Sequence, residues 1–321
     1  MSLLTSLLAT PPLEAAIEIS ASAVSIAVLN GRVGVNAVVQ GYAVEPLPAG
    51  AVSPSLTAPN IVDRTAVVRA LHAACQSIGV KPSRVALVIP DVTTKVSLVR
   101  FEQMPARRED LTQLLRWQVK KSTPFPVEDA CLTYTLGGQA AGAHEFVVVV
   151  ARRDIIREYE GACEDAGIEA GLVDTSTFSV INLFLSAGFG TSGDWLVVHM
   201  RPEYTSMAIL RREDMMFFRS RAEGDPDALE DVVHQTAMYY QDRLEGRGFS
   251  RILLGGIGRA PGAVDLARRN LEERMGTIVE PIDPTCGAAL TDRIHATPDL
   301  MATLAPLVGM LLRSQREGVA A

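Results

Sequence analysis

A duplicated α/β fold with a small inserted subdomain is what the sequence predicts, and three observations carry that expectation. The first is a repeated order of elements. AAIEIS, AVSIAVLN and RVGVNAVVQGYAV read as three β segments, followed by a helix and the short strand RVALVIPD. WLVVHM, SMAILRRE and MMFFRSRA read as three more, again followed by a helix and a short strand, RILLGG. The second observation is register: SIAVL at residues 25–29 matches SMAIL at 206–210, an offset of 181 residues. Two common patterns can converge on one element order, but a shared register favours an internal repeat. The third is composition. At 321 residues, 48% hydrophobic and 21% charged, the chain has the length of about two domains and enough apolar side chain for a real core.

The elements follow in order. Asn30–Gly31 is a turn signal between the second and third segments, and a Pro/Gly/Ser-rich connector runs from 45 to 59. A helix from about 61 to 79 puts Val67, Leu71, Ala74 and Ile78 on one face, with Asn60 placed to cap it. Pro90 stops the next strand. Residues 94–151 read differently: a strand (KVSLVRFEQM), an amphipathic helix (107–121), a TPFP turn, and two strands (ACLTYTL and EFVVVVA). A helix from 154 to 166 closes at Gly167, and DTSTF opens another that ends at Gly188, with Asp174 or Ser176 as cap. In the second half, the helix is expected from about Pro226 to Gly246. The boundaries that follow are 13–93 for the first half, 94–168 for the insert, 169–192 for a return to the first half, and 193–321 for the second half with a C-terminal helix.

Charge and cysteine content exclude several function classes. Thirty basic and 37 acidic residues give a net charge of −7, against a general nucleic-acid binder that needs a cationic footprint. Cys75, Cys131, Cys163 and Cys286 form no CxxC pair, so they read as reduced thiols of a cytosolic protein rather than a disulfide framework or zinc site. The N-terminal MSLLTSLLATPPLEAA has no basic residue ahead of its apolar stretch and does not read as a secretory signal. DLMATLAPLVGMLL is too short for a membrane span and contains Pro306. His72, His144, His199, His234 and His295 are scattered, with no HExxH; GxSxG and GxxxxGK[ST] are absent as well.

Two glycine-rich strings need sorting. GFGTSG at 188–193 follows a helix and precedes a strand, the reverse of a dinucleotide fingerprint, and reads as a turn. RILLGGIGRAPG is better placed: a strand delivers Gly255, Gly256 and Gly258 to a turn and a helix follows. Three readings stay open. One is a dinucleotide site with Glu280, 22 residues beyond Gly258, as the ribose-binding acid. Another is an adenine-nucleotide loop, and the last is a tight turn with no ligand.

In a paired β-hairpin phosphate clamp, an acid beside a Gly-Ser/Thr turn orients magnesium and water while backbone amides hold phosphate. The first candidate turn here is Glu18-Ile19-Ser20-Ala21-Ser22-Ala23-Val24-Ser25, with hydroxyls and an acid but no glycine or lysine. The second is His199-Met200-Arg201-Pro202-Glu203-Tyr204-Thr205, in which Arg201–Pro202 would crowd a phosphate. One stretch departs from the acidic background: residues 94–125 hold seven basic residues against three acidic ones. Arg108, Arg116 and Lys120 fall on the outer face of the 107–121 helix. They make either a solvated face or a docking patch for an acidic partner or membrane surface.

These residues together resemble the PilM family of type IV pilus assembly proteins, actin-like and related to FtsA. VIPDVTTKVSLVRFEQMPARREDLTQLLRWQVKKSTPFPVEDACLTYTL is similar to that family's inserted segment, RILLGGIGRAPG to its adenosine loop, and APLVGMLLR to its closing helix, with Gly309 at the family's glycine position. The similarity runs from Leu13 to Arg313 with the motifs in order. It implies an actin-like ATPase fold with duplicated βββαβα halves around a nucleotide cleft and an inserted small α+β subdomain. It also implies a cytoplasmic adaptor held at the inner membrane by gripping the cytoplasmic tail of a PilN-like protein, in a groove between the first subdomain and the insert. Other pilus assembly proteins are further expected partners.

Departures from the family pattern bear on the cofactor. Its first phosphate turn reads Asp-Ile-Gly-Ser/Thr-x-x-x-Lys, where this chain has Glu18, Ser20 and Ser25; its second reads Asp-x-Gly, where this chain has His199 and Arg201. The expectation is a scaffold without efficient hydrolysis. ATP, if bound, would sit on Gly255, Gly256 and Gly258 with Glu18, Ser20, Ser22 and Thr205 near the phosphates, and Mg would come only with it. The alternatives are an active Mg-dependent ATPase in which Glu18 replaces the aspartate, and an NAD-binding enzyme built on the last third of the chain. A bulky residue at Gly256 is expected to abolish any ATP binding.

Overall fold

The computed structural model describes residues 13–31, 36–105, 107–140, 142–191, 193–222, 229–258 and 260–320. The first N-terminal residues and the expected helix start near Pro226 lie outside them.

The first half opens with β1 (Ala15–Ile19), β2 (Ala23–Asn30) and β3 (Val38–Pro46), then α1 (Arg64–Ile78) and β4 (Arg84–Ile89). The insert comprises β5 (Thr94–Phe101), α2 (Arg108–Val119), β6 (Ala130–Ala140) and β7 (Ala143–Arg152). The chain returns through α3 (Arg153–Asp165), β8 (Glu169–Thr175) and α4 (Ser176–Ser186). The second half repeats the plan with β9 (Asp194–Arg201), β10 (Tyr204–Arg211), β11 (Asp214–Ala222), α5 (Leu229–Arg243), β12 (Arg251–Gly256), α6 (Ala263–Met275) and β13 (Val279–Pro281). The short β14 (Ala289–Leu290) and the long α7 (Pro298–Ala320) finish it.

The two sheets have one topology. In the first, the order is β3-β2-β1-β4-β8, with β1–β2 and β2–β3 antiparallel and β1–β4 and β4–β8 parallel; β14 is added on the β3 edge. In the second, the order is β11-β10-β9-β12-β13 with the same directions. The repeated pentapeptides fall at equivalent places: Ser25 pairs with Glu18 and Ser206 pairs with His199. The duplication is structural as well as sequential.

The molecule is layered as helices, sheet, helices, sheet, helices. Because strand side chains alternate between faces, Ile17, Ile19 and Val24 pack outward against α1 and α3, while Ala16 and Ala27 face a central layer. That layer holds α4 and α7, and it collects Val88, Trp195, Val197, Ala208 and Leu210 from the two sheets. Helix α7 is apolar around most of its circumference, as a helix buried between two sheets must be: Leu304, Leu307, Val308, Met310, Leu311 and Leu312 are all inaccessible. Among the described residues no helix is long and apolar enough to cross a membrane. At Gly309 an added Cβ would lie 1.9 Å from the Ser179 carbonyl oxygen of α4, so only glycine permits this approach of the two central helices.

Several expectations are adjusted. Helix α1 begins at Arg64, with Asp63 rather than Asn60 as its cap; the Asp63 carboxylate accepts from the Ala66 amide at 2.9 Å. Asn60 is instead fully buried, and its side-chain oxygen accepts from Tyr159 at 3.0 Å and from the Ser55 amide at 3.0 Å. Thr175, not Asp174 or Ser176, stands before α4. Helix α3 sets Ile155, Tyr159, Ala162 and Cys163 into the outer core of the first half beside Val67 and Leu71. The insert has its own core, in which Leu111, Leu115 and Val119 of α2 cover Val99, Phe146, Val148 and Val150. Its opposite face meets β11, where Val96 and Phe218 join Val147 of the central core.

Candidate functional site

The inner ends of β1 and β9 converge where the two halves meet, and the alternation of each strand points Glu18, His199 and Arg201 into that junction. Isolated charges there would be strongly disfavoured, yet the Glu18 and Arg201 side chains are each only 4% exposed. They pair with each other: the Arg201 guanidinium donates to Glu18 Oε1, and Ser176 Oγ at the start of α4 donates to the same oxygen at 2.9 Å. Burial opposes the charge on Arg201, and the Glu18 carboxylate more than offsets it, so the guanidinium is held protonated. The acid of the first turn is therefore bound by the arginine of the second.

Beside the pair lies a second buried network, centred on Asp91 just after β4. Its carboxylate accepts from the Thr177 amide at 2.9 Å, from Ser206 Oγ at 2.6 Å and from the Thr177 hydroxyl. Burial pushes its carboxyl above the ordinary range, opposed by the Ser206 and Thr177 hydrogen bonds. Having given its one proton to Asp91, the Thr177 hydroxyl can only accept from His199 Nδ1, 2.9 Å away. His199 thus carries its proton on Nδ1, and its buried Nε2 has no hydrogen-bond partner. Burial, and then the charge on Arg201, hold the imidazole well below its usual pKa and neutral. Tyr204 is buried against the same cluster, with its phenol pushed up by burial.

The residues expected near a phosphate are used differently. Ser20 spends its hydroxyl on its own turn, donating to the Ala23 carbonyl at 2.9 Å and accepting from the Ala23 amide at 3.1 Å. Ser22 lies exposed beside it, with its Oγ 3.5 Å from Ser20 Oγ. Thr205 is half-buried on the strand face opposite Ser206, and the structure does not bring it to Glu18. Gly255 and Gly256 end β12, and Gly258 stands in the turn before α6. Gly256 has φ +119° and an added Cβ would lie 1.9 Å from the Met200 carbonyl oxygen, so its substitution disturbs the backbone whatever the ligand. Glu280, the ribose acid of the NAD reading, pairs with Arg251 at 2.8 Å on the neighbouring strand. An engaged acid, a serine-closed turn and a buried arginine do not fit a magnesium-bound triphosphate at these turns.

Sequence reasoning missed Asp91 and Thr177, and read Ser176 only as a candidate helix cap. The signals were present: an aspartate directly after a strand-ending proline, and a hydroxyl-rich helix start in DTSTF. Among the described residues no cluster of His, Cys, Asp and Glu is arranged to hold a metal ion.

Comparison with known proteins bears on the chain's family and overall fold. The family model for type IV pilus assembly protein PilM matches residues 16–245. The structure of a PilM-PilN type IV pilus biogenesis complex superposes with a TM-score of 0.79 at 16% identity, covering 95% of this chain and 99% of that one. A Bacteroides thetaiotaomicron protein of actin-like ATPase fold gives 0.49 at 10% identity over 90% and 94% of the two chains. The cytoplasmic domain of EpsL, from the type II secretion system of Vibrio cholerae, gives 0.47 at 10% identity over 94% of each. With the duplicated topology, the insert and the family match in agreement, this chain shares the fold of that complex's PilM chain and belongs to the type IV pilus assembly protein PilM family.

Proposed function

We propose that this protein is a scaffold of type IV pilus assembly that works without nucleotide turnover and docks the cytoplasmic tail of a PilN-like inner-membrane protein. Peripheral association with the membrane comes through that partner. The tail-docking part is supported by family membership and by the likeness to a PilM chain solved with PilN. The nucleotide-free part rests on one observation: Arg201 fills the junction between the two phosphate turns and neutralises the Glu18 acid that a magnesium site would require. In place of a ligand that joins the halves when bound, the chain joins them with its own side chains.

Two calorimetric titrations of the full chain test the reading. Magnesium ATP is expected to give no saturable heat, and a synthetic N-terminal tail of the PilN-like protein from the same genome is expected to bind with equal affinity with and without ATP. Saturable ATP binding, with turnover abolished by Glu18→Ala, would establish the ATPase instead. Absence of tail binding at high micromolar peptide would remove the docking part alone.

A further inference from the structure

The insert carries a surface that the central junction does not use. Helix α2 buries Leu111, Leu115 and Val119 against its sheet and turns Arg116, Trp117 and Lys120 outward. Trp117 is 68% exposed, an unusual position for the largest apolar side chain. It stands at the mouth of a cavity of about 430 Å³ formed with Val127 and Glu128, which precede β6. That volume lies within the range of small binding pockets. Buried Val127 supplies an apolar lining, and Arg116 is fixed at the cavity wall by donating to the Val127 carbonyl at 2.8 Å.

Charge selects the occupant. Arg116, Lys120 and the neighbouring Lys121 outnumber Glu128 around the cavity in a chain of net charge −7, so an acidic segment is drawn here. Lys120 and the adjoining Lys121 are exposed at the end of α2. Lys120 contacts Glu128 at 3.1 Å with both side chains more than 60% exposed, a pair that a partner's carboxylate can replace at little cost. A flat anionic membrane would meet the lysines but leave the pocket between helix and turn unfilled. Tryptophan and arginine around a pocket with a polar rim are the composition of an interface hot spot. We propose that this face is a docking site for an acidic peptide segment of a partner protein, with one aromatic or large aliphatic residue of that segment inserted beside Trp117. The site is argued from its own lining residues and does not rest on the nucleotide-free reading above.

The experiment uses intrinsic fluorescence of the full chain. It has two tryptophans, and Trp195 is 2% exposed with its indole donating to the Arg212 carbonyl, so Trp117 is the one a surface ligand can reach. The probe is a short synthetic peptide of Asp and Glu around a single Phe. Expected are a saturable blue shift of Trp117 emission and, by anisotropy of the labelled peptide, a loss of affinity of about tenfold or more for Trp117→Ala, for the pair Lys120→Glu with Lys121→Glu, and for the peptide with Phe replaced by Ser. These side chains are exposed, so the variants keep the fold. Equal binding of the Phe and Ser peptides would overturn the proposal. So would unchanged affinity of Trp117→Ala, or a response to phosphatidylglycerol vesicles with none to the peptide.

Discussion

Replacing Arg201 by methionine keeps most of the side-chain length and removes its charge. Glu18, 4% exposed, would then be left with the Ser176 hydroxyl as its remaining side-chain donor. Stripping one partner from a buried ion pair costs about 3–5 kcal/mol, because an uncompensated charge stays in a medium that solvates it poorly. Removing both charges, as in Glu18→Gln with Arg201→Met, costs far less, since an uncharged isostere of a buried pair is often neutral. The double-mutant cycle should therefore give a coupling of at least about 2 kcal/mol, well above the additivity seen for distant sites. Urea unfolding followed through buried Trp195 measures each corner. If Arg201→Met loses less than about 1 kcal/mol, or if the double variant costs the sum of the two singles, the pair does not hold the halves together and the reasoning fails.

Three further outcomes are expected. His199 is neutral when folded and takes a proton near pH 6.5 when unfolded, so its contribution is present above that pH and is lost as pH falls below it, at up to about 1.4 kcal/mol per pH unit; His199→Gln should flatten the stability profile between about pH 6.5 and 5, and an unchanged acid limb would contradict this. Gly309→Val places carbon within 1.9 Å of the Ser179 carbonyl and should destabilise by about 3 kcal/mol or more, read as insoluble expression or a sharply lower melting temperature. Cys75 and Cys163 are buried while Cys131 is partly exposed and Cys286 is exposed, so a thiol reagent should label Cys131 and Cys286 in the native protein and the other two only after unfolding.

Much of the architecture was legible because it is written in local patterns. Period-two alternation gave the six leading strands, and the offset of SIAVL against SMAIL revealed the duplication. The insert was visible as an interruption of that repeat. Strand β8 escaped because EAGLVDT has weak alternation, and most of its residues are only half-buried. The junction was half legible. Glu18 and Arg201 each stood out as departures at a phosphate turn, but nothing local says that two misfits 183 positions apart satisfy each other. Asp91 and Thr177 stayed hidden for the same reason: their partners are set by the docking of one half on the other. Ser20 shows the converse, since a hydroxyl in a tight turn reads equally well as a ligand contact or as a clasp for its own backbone.

Helix α7 fills the layer between the sheets, and β14 completes the edge of the first sheet by pairing with Val38 and Val39. Both are synthesised after the strands that they cover or pair with. Until α7 is made, the first half has its strands but lacks that helix across their inner face, and Ala16, Ala27 and Val88 await residues some two to three hundred positions downstream. The first half therefore passes through a window in which an apolar sheet face stands open to chaperones or to aggregation until α7 docks on it. A stop codon anywhere before 298 would remove the helix shared by both halves and leave neither one intact, so truncated products should be cleared rather than accumulate as partial scaffolds.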